Sequence, residues 1–125
     1  MCDNNGFTYV GQLSGAIDRI DQQGQVNKAF MKLPHLIVSL AKQNERIYIL
    51  MHVDTQSSLI CVHELYNNNK EIISWQHPCD PYYGKSMFVN NDNKLAVGDR
   101  TSSQIIIYSL MEMSSEKFPV LPLCL

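Results

Sequence analysis

The chain has 125 residues and a formal net charge of −2, with 45% hydrophobic and 18% charged residues. This length fits one domain, and the ordinary balance of apolar and charged residues excludes wholesale disorder. Because no positive net charge is present, non-specific nucleic-acid binding, to DNA above all, is excluded as the main function.

The cysteines are scattered and form no C-x-x-C pair; they are Cys2, Cys61, Cys79 and Cys124. The opening MCDNNGF is polar and acidic, so it has neither the basic nor the apolar region of a secretory leader. Scattered cysteines without a leader indicate free thiols in a reducing compartment. Apolar runs such as Ile105–Tyr108 are far shorter than the roughly 20 residues of a membrane helix. We therefore expect a soluble, cytoplasmic chain without a membrane partner.

The predicted elements are short strands rich in Ile, Val, Tyr and Phe, separated by clusters of Asn, Asp, Gly and Ser. In chain order they are Phe7–Val10, Ala16–Asp21, Val26–Phe30, Leu36–Leu40, Ile47–Leu50, Leu59–Leu65, Ile72–Trp75, Ser86–Val89, Leu95–Gly98, Gln104–Leu110 and Phe118–Leu121. Hairpin turns are predicted at 22–24, 67–69 and 91–93, since Gly and Asn accept positive φ angles. Met111–Lys117 contains helix formers but is too short for a helix.

The strands belong to a repeating unit. Three prolines recur at a spacing of about 44 residues; they are Pro34, Pro78 and Pro122. The segment Asp54–Leu65, DTQSSLICVHEL, matches Asp99–Leu110, DRTSSQIIIYSL, at nearly the same spacing. A third copy begins at Phe7. The units cover approximately residues 1–33, 34–77 and 78–121 of a single incomplete domain.

Four short antiparallel strands repeating about every 44 residues are typical of the blades of a β-propeller. The predicted third strands are continuously apolar, as in Leu59–Val62, which is expected where neighbouring blades cover both faces of a sheet. The predicted fold class is therefore all-β, a partial β-propeller of roughly three four-stranded antiparallel blades. The first blade lacks its first strand. Either the chain is a fragment of a longer protein, which we favour, or two copies close a ring. Open blade edges favour self-association.

The units resemble NHL repeats, a family of mostly six-bladed propellers, as found in TRIM-NHL-type proteins. In that family a proline precedes the first strand and an aspartate ends the second. Pro34 and Pro78 take the first position, Asp54 and Asp99 the second, and Gly24 the turn after the third strand. Gluconolactonase-like and WD-repeat propellers stay open as alternatives.

This resemblance implies a protein-interaction scaffold that binds a protein ligand on the loops of one propeller face or in the central channel. NHL propellers often end proteins that carry RING, B-box and coiled-coil modules, so the implied host is a ubiquitin-ligase-type or RNA-regulatory protein. One alternative is a fragment of a gluconolactonase-like, metal-dependent propeller enzyme.

The second alternative is an RNA-binding face. Bases of single-stranded RNA stack on aromatic side chains beside cations. The candidate binding residues of this type are Tyr82, Tyr83, Lys85 and Arg100. The competing interpretation, which we favour, is that the two tyrosines pack between blades.

Two motifs, Cys61–His63 and His77–Cys79, contain residues that bind zinc. Zinc requires ligands that converge at about 2.0–2.3 Å from one point. A hairpin centred on Asn68 places Trp75 opposite the cysteine and Ile73 opposite the histidine of the first motif. The second motif then lies beyond the paired region. We therefore predict neither a metal nor another cofactor.

The acidic residues are predicted to be structural. Asp54 and Asp99 recur at equivalent positions, which favours carboxylates that accept backbone N–H groups in the loop after the second strand. Asp18 and Asp21 lie on opposite faces of one strand, so they form no acid–base pair. No common catalytic motif is present, and we predict that the chain is not an enzyme. Trp75 is predicted to anchor an outer strand.

Overall fold

The computed structural model describes residues 6–54, 57–77, 86–99, 104–110 and 114–119, with the backbone alone at residues 99 and 114–119. All regular elements in this part of the chain are strands. In chain order they are β1 (Thr8–Gly11), β2 (Ala16–Ile20), β3 (Val26–Lys32), β4 (Leu36–Gln43), β5 (Arg46–His52), β6 (Ser58–Glu64), β7 (Lys70–His77), β8 (Ser86–Val89), β9 (Lys94–Asp99), β10 (Gln104–Ser109) and β11 (Ser114–Pro119). A helix of the length and apolarity that a membrane crossing requires is absent from the described residues.

Three antiparallel sheets divide the strands in chain order. The first sheet has the order β1-β2-β3, the second β4-β5-β6-β7 and the third β8-β9-β10-β11. Each strand pairs with the strands before and after it in its own sheet, so all three sheets are meanders. This arrangement confirms the predicted all-β class, and it includes the predicted first sheet of three strands.

The hairpin turns form where the sequence predicts them. Gly24, Asn68, Asn69 and Asn93 have positive φ angles of 83°, 54°, 52° and 60°. Gly and Asn adopt this left-handed conformation more readily than other residues. Each of the three turns can therefore reverse the chain tightly and set the register of the strands on either side.

The last strand begins earlier than predicted, which corrects the sequence analysis. We expect Phe118–Leu121 from its apolar residues, whereas β11 starts at Ser114, which pairs with Ser109 of β10. An outer strand with one free edge needs no continuous apolar run, so hydrophobicity is a poor guide to its limits.

The core fills two gaps between neighbouring sheets. One gap, between the first and second sheets, contains Tyr9, Ile17, Met31, Leu33, Ile37, Ile47, Ile49, Met51, Cys61 and Leu65. The other, between the second and third, contains Ala41, Tyr48, Leu50, Ile60, Val62, Leu95, Val97, Ile106 and Tyr108. Alternate residues of β5 therefore enter different gaps. Its continuous apolar run follows from burial on both faces, as predicted.

The sheets approach one another most closely along their first strands. Among the described strands, the closest approaches between different sheets are those of β4 to β8 and of β1 to β4. Gly11 at the end of β1 permits this approach, because a Cβ atom there would lie 2.4 Å from Cγ2 of Ile37. The strands at this edge form the inner side of the molecule.

Candidate functional site

A groove runs between β1 and β4 on the inner side of the molecule. Its lining consists of Tyr9, Val10, Gly11, Ile37, Val38, Ser39 and Leu40. In the second and third sheets, the strands that correspond to β1 are β5 and β9, and each pairs with an inner strand, β4 or β8. Among the described strands, β1 has no such inner neighbour. The groove thus lies where a fourth strand would complete the first sheet.

The groove is apolar in character and bordered by backbone. Val10 on β1 is 42% exposed, whereas Ile37 on β4 is 7% exposed and forms part of the floor. A strand that ends its sheet offers one side of its backbone to a further strand. The arrangement can accommodate an extended polypeptide whose backbone pairs with β1 and whose apolar side chains lie against β4.

A second cluster of functional side chains lies on the β6–β7 hairpin. Cys61 and His63 alternate along β6, so they lie on the same face of the second sheet. Glu71 of β7 pairs with His63 across the hairpin. The Cys61 Sγ atom, a ring nitrogen of His63 and a carboxylate oxygen of Glu71 all lie within 4.8 Å of one another. We call these three residues the thiol–imidazole–carboxylate cluster.

A β-bulge places the carboxylate in this cluster. Cys61 pairs with Ser74, but His63 pairs with Glu71, because the register shifts between these two pairs. In a regular ladder Ile72 would pair with His63, and Glu71 would lie on the other face of the sheet. Bulges often re-aim a side chain in this way beside functional sites.

This register corrects the pairing expected from the sequence. Ser74 and Glu71 stand opposite Cys61 and His63, in place of the predicted Trp75 and Ile73. Glu64 pairs with Lys70, so the turn is centred on Asn67, one residue before the predicted Asn68. The bulge then adds one residue to β7, and no periodicity in the sequence reveals it. Sequence reasoning consequently missed Glu71 as a member of the cluster.

The tautomer of His63 follows from its hydrogen bond. Its Nδ1 lies 2.8 Å from the carbonyl oxygen of Asn69, and since a carbonyl oxygen only accepts, Nδ1 carries the proton and donates it. In the neutral ring, Nε2 then presents a lone pair. This nitrogen is buried and has no hydrogen-bond partner among the described residues. The side chain of His63 is 8% exposed.

Cys61 is fully buried and has the thiol form. Burial, and then the negative charge of Glu71, raise the pKa of Cys61 to about 12. The thiolate is the nucleophilic form of cysteine. Cys61 is therefore protonated near neutral pH and does not act as a nucleophile without an ion or group that displaces its proton.

His77, from the second of the two motifs, is not part of this cluster. His77 lies on the opposite face of the second sheet, where its Nδ1 is 2.6 Å from the hydroxyl oxygen of Tyr108 in the third sheet. The ring of Trp75 packs 5.1 Å from the same tyrosine ring, between centroids, which supports the predicted anchoring of this outer strand. Cys79 lies outside the described residues.

The residues predicted to bind RNA or another ligand are not described by the structure. Tyr82, Tyr83, Lys85 and Arg100 all lie outside the described ranges, as does the side chain of Asp99. Their roles stay predictions.

The described aspartates have structural contacts. The backbone N–H and the hydroxyl of Ser57 donate to Oδ1 of Asp54 at 2.9 and 3.0 Å, which confirms the predicted role of Asp54. Asp18 accepts the N–H of Ala29 at 2.7 Å, and Asp21 accepts backbone N–H groups of the turn that follows it at 2.9 Å.

One basic residue that the sequence analysis did not single out has a defined setting. The guanidinium carbon of Arg19 lies 4.4 Å from the ring centroid of Phe7 and 4.2 Å from that of Phe30. Both distances are within the range of cation–π attraction. The two rings flank Arg19 from β3 and from the residue before β1, so the contact helps to close the first sheet. No sequence spacing indicated this grouping.

Comparison with known proteins supports the fold alone. No protein-family model matches the sequence, and no curated protein matches it. Among solved structures, that of streptogramin B lyase is similar to the chain, with a TM-score of 0.52 at 12% sequence identity. The match covers 97% of this chain and 53% of that chain, so this chain spans about half the length of the structure it matches. The likeness confirms a propeller-like, partial β-propeller fold, whereas the NHL type of repeat stays a prediction.

Proposed function

We propose that the chain is a protein-interaction module of the NHL-like propeller type, whose inner groove takes up one extended segment of a protein. The segment pairs with β1 as an added strand. The observation that carries this proposal is the strand order of the three sheets, in which β4 and β8 occupy a position that none of the described strands occupies beside β1. The proposal gives the chain a binding role and no reaction of its own.

The first support is the equivalence of the three sheets. Strands β1, β5 and β9 occupy the same place in the repeat, and the last two each have an inner neighbour. An added strand beside β1 would gain the backbone hydrogen bonds that those neighbours make. It would also cover apolar side chains that line the groove, as in known β-strand addition.

The second support is the chemistry of the groove, which selects the ligand. Val10, Val38 and Leu40 line it, and Tyr9 and Ser39 are the lining residues with a hydroxyl. Since none of the described lining residues is acidic or basic, the segment needs alternating apolar residues and no charge on the buried side. Strand β1 has four residues, which sets the length of the pairing. The segment comes either from a longer chain that contains this one or from a partner protein.

The resemblance to NHL repeats also indicates the kind of host protein that contains this module. A larger host of the ubiquitin-ligase or RNA-regulatory type, acting in the cytoplasm, is part of the proposal. The buried free thiol of Cys61 is in keeping with a reducing compartment. At 12% identity, the lyase activity named for the similar structure is not transferred to this chain.

The experiment uses a peptide with the sequence of β4, residues 36–43, extended by lysines for solubility and labelled for fluorescence anisotropy. This strand occupies the corresponding place in the second sheet, so we expect the peptide to bind the full chain saturably. Val10→Asp places a charge at the groove, and we expect it to weaken binding at least about tenfold.

The matched control is Val26→Asp. Val26 is 51% exposed and lies on β3, at the other edge of the same sheet. We expect this variant to bind the peptide as the unmodified chain does. Absence of peptide binding, or equal weakening by both substitutions, would show that the groove is not a strand-binding site. In a second format, the same peptide is fused ahead of residue 1. If the free peptide binds the groove and the fused peptide does not, the segment belongs to a separate protein.

A further inference from the structure

We propose that Cys61, His63 and Glu71 bind a zinc ion on the β6–β7 hairpin, with the fourth ligand position open to solvent. The site lies on the outer half of the second sheet, away from the inner groove, and does not depend on the proposed strand binding. Three features point to this site: the donor atoms, the buried nitrogen of His63 and the bulge that supplies Glu71.

The donor set fits zinc by type and by distance. Zinc prefers sulfur, imidazole nitrogen and carboxylate oxygen, and three protein ligands with one open position are a common arrangement. In tetrahedral zinc, bonds of about 2.0–2.3 Å place the ligand atoms about 3.3–3.8 Å apart. The three atoms already lie within 4.8 Å of one another. A movement of about 1 Å by the exposed carboxylate of Glu71 closes the difference.

The buried nitrogen of His63 is an independent sign of a missing ligand. Nearly all buried polar atoms in folded proteins have a partner. The Nε2 atom of His63 has none among the described residues, and His63 is a member of the cluster. Its other ring nitrogen donates to the carbonyl oxygen of Asn69 at 2.8 Å. Metal-binding histidines are oriented in the same way, by a hydrogen bond from the nitrogen that does not bind the metal.

The bulge gives the second independent sign. It interrupts the ladder between β6 and β7 and turns Glu71 onto the face that carries Cys61 and His63. A carboxylate beside a buried thiol and a neutral imidazole gains no ion pair from either. A zinc ion supplies the positive charge that the carboxylate lacks there, and it accepts the lone pair of the imidazole.

Zinc binding releases one proton from the protein. The thiol proton of Cys61 leaves to solvent as the zinc–sulfur bond forms, while His63 binds through a nitrogen lone pair and Glu71 through a carboxylate oxygen. The two positive charges of zinc are balanced by the thiolate of Cys61 and the carboxylate of Glu71, and a water molecule fills the fourth position because the protein supplies three ligands. Because Glu71 is exposed, solvent reaches this side of the cluster.

The test measures zinc bound to the full chain after removal of metals under a non-thiol reductant. We expect one zinc ion per chain, by titration against a chromophoric chelator and by elemental analysis after dialysis. Cobalt should replace zinc and give a thiolate-to-cobalt charge-transfer band that is absent in Cys61→Ser. Glu71→Gln keeps the size of an exposed side chain, so it should fold, and we expect it to weaken zinc binding at least about tenfold.

The matched control is Glu64→Gln, on the same hairpin. Glu64 pairs with Lys70, and this pair lies one residue nearer the turn than the pair of His63 and Glu71. The carboxylate of Glu64 accepts a hydrogen bond from the side-chain amide of Asn67 at 3.2 Å. This variant should bind zinc as the unmodified chain does. Binding of less than about a fifth of an equivalent, or unchanged affinity in both Glu71→Gln and Cys61→Ser, would overturn the proposal. Far-UV circular dichroism of each metal-free variant checks that the strands are retained.

Discussion

At the scale of single residues, buried polar side chains join the second sheet to the third. Tyr48 on β5 and Tyr108 on β10 belong to the core between these sheets, and they are 2% and 9% exposed. The hydroxyl of Tyr108 is hydrogen-bonded to Nδ1 of His77 at 2.6 Å. A buried hydrogen bond of this kind costs about 1–3 kcal/mol when one partner is lost. Such contacts fix the relative orientation of neighbouring sheets and tighten the packing between them.

The titration of Tyr48 predicts how stability depends on alkaline pH. Burial raises the pKa of Tyr48 above its ordinary value of 10.0, and the positive charge and hydrogen bond of Arg46 oppose this only in part. The folded chain therefore favours the neutral hydroxyl. This contribution is fully present below the unfolded pKa and is lost as the pH rises through the higher folded pKa.

We accordingly predict that Tyr48→Phe makes the free energy of unfolding fall less steeply above about pH 10 than in the unmodified chain. The measurement is urea unfolding at a series of pH values on either side of this point. Parallel curves for the two proteins throughout this range would contradict the assignment.

At the scale of elements, two turn glycines differ in what surrounds them. Gly15, between β1 and β2, has a φ angle of 90°, and a Cβ atom there would lie 2.3 Å from the backbone oxygen of Leu33 and 2.7 Å from that of His35. Gly24, between β2 and β3, has a φ angle of 83° but no atom within 4 Å of such a Cβ. Gly15 thus fixes the first hairpin against the connection to the second sheet.

This difference predicts the outcome of two matched substitutions. Gly24→Ala should cost only the strain of a positive φ angle, about 1–2 kcal/mol. Gly15→Ala should cost about 1–3 kcal/mol more, because the backbone of the following connection must move. Urea unfolding of both variants measures the difference. Equal losses of stability would show that Gly15 does not lie against that connection.

The accuracy of the sequence analysis differs between inner and outer elements for a physical reason. Strands such as β5 and β6 are covered on both faces, so their apolar runs identify them, and the turns are marked by Gly and Asn. Outer strands have one free edge, and the start of β11 at Ser114 is set by the hairpin before it. The repeat predicts that the first sheet has three strands, as it does among the described residues, whereas the membership of Glu71 in the cluster depends on a bulge that no sequence pattern marks.

At the scale of the whole molecule, the three sheets form an incomplete series. The first has three strands and the next two have four each among the described residues. The chain covers 53% of the similar propeller-like structure. Several apolar side chains are exposed, including Phe88 of β8 at 69% and Val10 of β1 at 42%. Exposed apolar surface beside a terminal strand favours the addition of a further strand.

The claim that the inner groove receives a strand is tested most directly by hydrogen exchange. The exchange of the backbone amides in β1 is measured with and without the peptide of β4 sequence. We predict that exchange at Gly11 slows at least about tenfold when the peptide is bound, because N–H groups alternate between the two sides of a strand and that of Gly11 points away from β2, to the edge that an added strand protects. Exchange along β3, at the other edge of the first sheet, should not change. Unchanged exchange in β1, or equal slowing in β1 and β3, would contradict the claim that the inner groove receives a strand.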